Sequence, residues 1–200
     1  MELDEALRRR HMVRSFSARP VDDAVVDGLL DAARRAPSAG HSQGLDLVVL
    51  VGPETARYWD VTLPADRRAS FRWPGLLRAP VLVVAVTDPD AYVARYAEDD
   101  KAATGLGAGA EAWPVPYWFV DAGAAVENLL LAVVAAGLGA CLFGPFGHEA
   151  AVREALGVPA GRRLVATIAV GHPDGGEDGP GRSAGRPRRP LDDVVHRGGW

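Results

Sequence analysis

The chain has 200 residues, of which 48% are hydrophobic and 24% charged, which fits an ordinary soluble globular protein and predicts one domain spanning residues 1–200. Its formal net charge of −4 argues against general nucleic-acid binding, since nucleic-acid-binding proteins are usually basic. Cys141 is the single cysteine, which excludes an intrachain disulfide and fits a reducing, cytoplasmic location.

The first third of the chain predicts two helices and a strand. Residues 3–10 have apolar side chains at helical spacing, and because they lack a long apolar run we expect no signal peptide. Residues 21–33 form a second amphipathic pattern, acidic at its start and basic at its end, which Pro37 terminates. Residues 45–51 are rich in β-formers and lie between two glycines, which predicts a strand.

The middle of the chain predicts a second strand and a buried helix. Residues 81–86, like 45–51, form a continuous apolar run that is typical of a strand buried on both faces. Residues 90–97 predict a short helix, whereas residues 98–118 show no clear periodicity. Residues 120–136 are apolar almost all round but carry Asp121 and Glu127, and are too short for a membrane span, so we expect a core helix and no membrane contact.

The last third predicts a mixed α and β pattern. Residues 139–143 form a short strand or an extended link, 148–156 a helix and 163–171 a strand. Residues 173–190 are rich in glycine, proline and arginine, and residues 191–195 form a short apolar piece. Because two helices precede the first strand, the order differs from the βαβ beginning of a doubly wound nucleotide-binding fold.

Two segments carry candidate ligand-binding groups. Arg10 and Arg14 are four residues apart, so on a helical turn they would share one face, and guanidinium groups suit phosphate. The loop over residues 36–43 is small and polar, and it can bring its backbone close to a flat ligand. Together they predict a phosphate site and a ring-edge site for one cofactor; the alternatives are a solvated basic face and a helix-ending turn.

The order and spacing of several motifs resemble the nitroreductase family of FMN-dependent oxidoreductases. The motifs are residues 10–16 (RHMVRSF) with Pro20, 36–39 (APSA), the apolar helix over 121–136, 137–141 (GLGAC) with Phe143 and Gly144, 171–173 (GHP) and 188–191 (RRPL). The resemblance implies an α+β fold, a three-layer α/β/α sandwich with a mainly antiparallel sheet. It also implies an intertwined homodimer with two FMN sites at its interface.

The resemblance assigns FMN-binding residues in three groups. Those expected at the phosphate are Arg10, His11, Met12, Arg14, Arg186 and Arg188; those at the ring edge are Pro37, Ser38, Ala39, His41 and Gln43; those near N5 and O4 are Phe143, Gly144 and Pro145. Arg14, and less so Arg72, would stabilise negative charge near N1 and O2. The alternatives are a surface position for His11, a strand-to-helix connection at 143–145, and a disordered basic tail or nucleic-acid arm for the arginines of residues 182–189.

An aromatic segment supplies candidate substrate contacts. Tyr92, Lys101, Trp113 and Tyr117 are expected to form a wall for a flat substrate, although aromatic residues equally pack cores and interfaces.

Three positions depart from the family pattern. Met12 stands where a hydroxyl is common, His41 where asparagine is usual, and Gly44-Leu45 where proline–tryptophan is usual. Loss of the hydroxyl removes one phosphate hydrogen bond, and we expect His41 and Gly44 to mark the protein's own specificity.

The implied function is oxidoreduction on FMN without a catalytic side chain. NAD(P)H would reduce the flavin at N5 and leave, and an electron-poor small molecule such as a nitro compound or quinone would then take the electrons, in a ping-pong scheme. No triad or metal cluster is recognisable in the sequence. The alternatives are another flavin reaction on the same fold (natural-product dehydrogenation, dehalogenation or flavin cleavage), a non-catalytic flavin-binding or storage protein, and an interaction domain with a basic tail.

Overall fold

The computed structural model describes residues 1–175 and 185–200. In this part of the chain the helices are α1 (Leu3–Arg9), α2 (Asp23–Arg34), α3 (Ala56–Thr62), α4 (Ala65–Arg68), α5 (Pro89–Tyr96), α6 (Tyr117–Ala135) and α7 (Glu149–Leu156). The strands are β1 (Leu45–Val51), β2 (Val81–Thr87), β3 (Gly139–Phe143) and β4 (Arg163–Gly171). Short 3₁₀ turns fill much of the region between α5 and α6.

The four strands form one antiparallel sheet in the order β1-β2-β4-β3. The pairing is regular except for a bulge in β2 between Ala85 and Val86. β1 and β3 are therefore the two edge strands. Every residue of β2 is buried, as the sequence predicts, but β1 is wrongly predicted to be buried on both faces, since only Leu50 in it is fully buried.

Helices cover both faces of the sheet. Alternate β2 residues, among them Val83, pack with α2 and α6 in one core, whereas their neighbours, among them Val84, pack with α3 and α7 in another. Such alternation follows from the two-residue period of a strand. The predicted three-layer α/β/α sandwich is confirmed.

The segment after α1 differs from its prediction. α1 ends at Arg9, and the backbone then runs beside β3, where the Val13 N–H donates to the Ala140 carbonyl at 2.8 Å. Met12 also bridges Ala140 in parallel orientation. The prediction that Arg10 and Arg14 share one helical face is therefore wrong, because pairing with a distant strand replaces the helical turn.

The long helix α6 is packed between α1, α2 and the sheet. Gly137 follows it with φ of +72°, as expected for a glycine past a helix C-terminus. Among the described residues, α6 is the one helix that is long and apolar enough to cross a membrane, and 39% of it is buried. The core helices of soluble proteins meet the same criteria.

Candidate functional site

An aromatic cleft lies between α3, the segment that follows it, and the end of β3. It encloses about 340 Å³. Its walls include Tyr58, Trp59, Phe71, Trp73 and Phe143, together with Arg14, Gly144 and Pro145. The structure thus brings Arg14 together with the predicted segment 143–145. The α3 wall was missed, since no element was predicted over residues 53–80 and its aromatic side chains are scattered in the sequence.

Two arginines flank one indole at this cleft. The guanidinium carbons of Arg14 and Arg72 lie 5.5 and 5.3 Å from the Trp73 ring centre, within the range of a cation–π interaction. Both arginines also line a neighbouring cleft of about 290 Å³, which shares Arg14 and Trp73 with the aromatic cleft. A third arginine there, Arg78, pairs with Asp174 and donates to the Phe16 carbonyl. Arg14 and Arg72 therefore hold positive charge beside a flat aromatic space.

The segment 143–145 forms one side of the aromatic cleft. The Phe143 ring stacks on Trp59, with centroids 5.7 Å apart and planes 17° apart. Gly144 passes close to the Phe146 side chain, which is 89% exposed. Pro145 has no backbone N–H, so it is not a hydrogen-bond donor to a ring in this cleft.

Arg10 and His11 lie in a different cleft. Together with Arg9 they line a space of about 140 Å³ against the end of α6. Arg10 Nε is 3.5 Å from Glu127 Oε1, which partly balances its charge. His11 is exposed, and its Nδ1 lies 2.8 Å from the Arg9 carbonyl oxygen. These contacts favour the interpretation of His11 as a surface residue over that of a phosphate ligand.

The Met12 side chain is turned toward β3. Its sulfur accepts a hydrogen bond from the Leu142 N–H at 3.3 Å, and the side chain packs against both cores. In this structure Met12 therefore joins the segment after α1 to β3, which accounts for a sulfur where the family often has a hydroxyl.

The loop over residues 37–43 is held by side chains from α5 and α6. The Ala39 N–H donates to Asp121 Oδ2 at 2.8 Å, and Arg95 Nε donates to the Gly40 carbonyl at 2.8 Å. Ser38 Oγ accepts the Gln43 N–H at 3.1 Å. His41 and Gln43 have φ of +59° and +52°, which is uncommon for non-glycine residues, and both are exposed. Exposed residues with backbone strain of this kind cluster at ligand sites.

Asp121 joins this loop to the aromatic segment. Tyr92, which is buried, donates its hydroxyl hydrogen to Asp121 Oδ2 at 2.9 Å. Burial, and then the neighbouring carboxylate, raise the pKa of the Tyr92 hydroxyl, so it stays a neutral donor. The sequence marked Asp121 only as a polar residue in an apolar helix. Its role depends on contacts with residues 29 and 82 positions away.

The four predicted substrate residues divide into two pairs. Tyr92 and Trp113 are buried, and the Trp113 indole donates to the Leu106 carbonyl at 3.0 Å, so packing is favoured for both. Tyr117 is 44% exposed, and Lys101 Nζ lies 5.7 Å from the Tyr96 ring centre. Lys101 and Tyr117 remain predictions as substrate contacts.

Gly44, one of the unusual positions, has a packing reason. A Cβ atom at this position would lie 2.6 Å from the Tyr92 ring and 2.9 Å from the Asp88 carbonyl oxygen. A larger residue therefore does not fit without movement of the backbone.

The arginines near the C-terminus lie away from these clefts. Arg186 and Arg188 are exposed and belong to the lining of none of the three clefts described above. Arg182 lies outside the described residues. The apolar piece predicted over 191–195 is exposed.

Within one chain, the two predicted halves of the cofactor site lie apart. The loop over 37–43 leads into β1, whereas residues 143–145 leave β3 at the opposite edge of the sheet. Three strand spacings separate these edges, or about 14 Å. None of the residues 37–43 belongs to the lining of the three clefts described above, which hold Arg10 and Arg14.

Comparison with known proteins identifies the family. The family model described as "Nitroreductase family" matches residues 7–172. The chain belongs to the nitroreductase family. It is 30% identical to a 4-nitrobenzoate reductase from Nocardioides sp. (96% of this chain, 88% of that protein), and 27% identical to an NADH dehydrogenase/NAD(P)H nitroreductase from Archaeoglobus fulgidus (84% of each chain). A crystal structure of a nitroreductase with FMN from Desulfovibrio desulfuricans has a TM-score of 0.67 and 26% identity, over 98% of this chain and 95% of that chain.

Family membership confirms the predicted enzyme class, an NAD(P)H-dependent oxidoreductase that uses FMN. The residues present also fit this cofactor. A flat aromatic space beside Arg14 and Arg72 suits a planar ring with carbonyl oxygens on its edge, since guanidinium groups donate in a plane.

Proposed function

We propose that this nitroreductase-family protein passes electrons from NAD(P)H, through FMN, to a small electron-poor acceptor such as a nitroaromatic compound or a quinone. The observation that carries the proposal is that Arg14 and residues 143–145 line one aromatic cleft in a chain of this family. The relative named as a 4-nitrobenzoate reductase supports a nitroaromatic acceptor.

The protein's part in the reaction is to bind, orient and provide charge. The two-electron chemistry is supplied at N5 of FMN when it is bound. The aromatic walls keep water away from the ring, and Trp73 holds the Arg14 guanidinium in place. Arg14 stabilises negative charge at the adjacent ring edge, and a fixed cation does so without reorganisation during the reaction. Donor and acceptor use the same space in turn, which gives ping-pong kinetics.

The complete site takes residues from two copies of the chain. The loop over 37–43 leads into β1, at the opposite edge of the sheet from the β3 wall of the aromatic cleft in its own chain, so a second copy would supply it to the ring edge. Val120 is 50% exposed on the apolar helix α6, as expected for a residue that a partner covers. Arg186 and Arg188 would reach the phosphate in this dimer. Sedimentation velocity should give a dimer; a monomer that binds FMN with full affinity would contradict this arrangement.

The absorption spectrum tests the function directly. Purified protein incubated with FMN should be yellow, NADH or NADPH should bleach it without oxygen, and 4-nitrobenzoate or a quinone should restore the colour. Initial rates should give parallel double-reciprocal lines. Protein that stays colourless after incubation with FMN refutes the proposal, and bound flavin that neither nucleotide reduces indicates a storage protein.

A substitution tests the location. Arg14→Ala should weaken FMN binding about 10- to 100-fold, the range for loss of one hydrogen bond to a charged group. Arg35→Ala is the matched control, because Arg35 is exposed and pairs only with Asp31 on its own helix among the contacts described. Equal FMN affinities for the two variants would place the ring elsewhere.

A further inference from the structure

A cleft rich in arginine adjoins the aromatic cleft. This arginine cleft is the space of about 290 Å³ that Arg14, Arg72 and Arg78 line together with Asp174. It shares Arg14 and Trp73 with the aromatic cleft, so the two spaces meet beside one indole. Among the described residues, its lining holds three guanidinium groups and one carboxylate. A cleft lined mainly by one sign of charge attracts ligands of the opposite sign.

Two of the three arginines already have a partner or a proposed role. Arg78 forms an ion pair with Asp174, and its Nε donates to the Phe16 carbonyl at 2.8 Å. The charge of Arg78 is therefore balanced within the protein. Arg14 also lines the aromatic cleft, where it is proposed to stabilise charge at the flavin ring edge.

Arg72 remains available for a ligand. Its side chain is exposed, and it lines the arginine cleft but not the aromatic cleft. Within residues 1–175 and 185–200 it forms a cation–π contact with Trp73, at 5.3 Å from the ring centre, and no ion pair. A cation–π contact provides no oxygen acceptor, so the N–H donors of the guanidinium group can bind a carboxylate or a phosphate. Because the side chain is exposed, it can turn toward such a group without disturbing the core.

The residues predicted at the FMN phosphate lie elsewhere. Arg10 and His11 line the cleft of about 140 Å³ against the end of α6, which shares no lining residue with the arginine cleft. With the phosphate of FMN at Arg10, the arginine cleft is left for an anionic group that another molecule brings to the same ring.

We propose that the arginine cleft, through Arg72, binds a carboxylate or phosphate group of a substrate that reacts at the flavin in the adjoining aromatic cleft. The inference rests on the proposed function. Two substrates can carry such a group: the nicotinamide donor has phosphates, and an aromatic acceptor can have a carboxylate. Arg72 then favours a charged substrate over a neutral one of the same shape, and the preference is one of binding, since the groups that react are the same.

Matched pairs of substrates test this preference in each half-reaction. On the acceptor side, 4-nitrobenzoate and 4-nitrobenzamide share the nitro group and differ in charge. On the donor side, reduced nicotinamide mononucleotide and reduced nicotinamide riboside differ by one phosphate. Stopped-flow measurements on FMN-loaded protein give the apparent dissociation constant of each, and the quantity compared is the ratio within a pair.

Arg72→Gln should lower the preference for the charged member of at least one pair about threefold to tenfold, between the value of an exposed ion pair and that of a hydrogen bond to a charged group. Arg72→Lys keeps the charge and should retain most of the preference. Arg67→Gln is the matched control and should retain all of it, because Arg67 is exposed on α4 and lines none of the three clefts described above.

A binding measurement without turnover completes the test. Benzoate and benzamide are titrated into oxidised, FMN-loaded protein, and the flavin absorbance reports their affinities. A loss of preference in one half-reaction identifies the substrate that carries the anion, and a loss in both shows that donor and acceptor use the arginine cleft in turn. If Arg72→Gln changes charged and neutral members equally, or changes neither, the inference is wrong and the proposed function stands. If FMN does not bind, the proposed function fails and the inference fails with it.

Discussion

Replacing Asp121 by alanine should destabilise the protein by releasing the loop over residues 37–43. The Asp121 carboxylate accepts hydrogen bonds from the Ala39 N–H at 2.8 Å and the Tyr92 hydroxyl at 2.9 Å. Alanine removes both acceptors. Tyr92 is 1% exposed, so its hydroxyl would then be buried without this partner.

The expected loss in the free energy of unfolding is about 2–4 kcal/mol. Each hydrogen bond to a charged group contributes about 1.5–3 kcal/mol, and part of the sum is offset because the partly buried carboxylate no longer needs to be desolvated. For a chain of this size that loss corresponds to a fall in Tm of roughly 5–15 °C.

The assay is urea unfolding followed by tryptophan fluorescence, with a double-mutant cycle. Glu127→Ala is the matched control, because Glu127 lies on the same helix in a half-exposed ion pair with Arg10 and should cost less than about 1 kcal/mol. Asp121→Ala in a Tyr92→Phe background should cost at least about 1 kcal/mol less than in the wild-type protein. Strictly additive costs, or equal losses for the Asp121 and Glu127 variants, would refute the reasoning.

Two further changes have outcomes that follow from single contacts. Gly44→Ala should lower the free energy of unfolding by about 1–3 kcal/mol, since its Cβ would lie 2.6 Å from the Tyr92 ring. Gly28→Ala on helix α2 should raise it by about 0.5–1 kcal/mol, because a Cβ there has nothing within 4 Å. Chemical denaturation measures both, and a stabilising Gly44 variant would contradict the packing argument. The Arg163 guanidinium holds the pKa of Glu149 below its ordinary value of 4.5, so the stability from this pair is complete above that value and is lost as the pH falls through the lowered pKa. Glu149→Gln should therefore flatten the fall of Tm in acid, and an unchanged slope would show that the pair is irrelevant there.

Much of the fold could be predicted because it is local in the sequence. The bounds of β1 and β4 agree with their apolar runs. Gly137 follows the end of α6 in the positive-φ conformation that glycine adopts readily. α3 and α4 were not predicted, although Tyr58 and Trp59 from α3 form a wall of the candidate site. The Tyr58 and Trp59 side chains form a cleft only together with Phe143, which is more than eighty positions away in the chain.

The sequence by itself determined the family, the order of the four strands with the helices α1, α2, α5, α6 and α7, and the chemical character of the segment 10–14 and the loop 37–43. These depend on residue type and spacing, from which local backbone preferences and a family resemblance can be recognised. Only the tertiary structure decided that the segment after α1 runs extended beside β3, that Arg14 stacks on Trp73, and that the loop 37–43 lies at the far edge of the sheet. The reason is physical: strand pairing and side-chain packing join residues that are distant along the chain, and such contacts leave no period in the sequence.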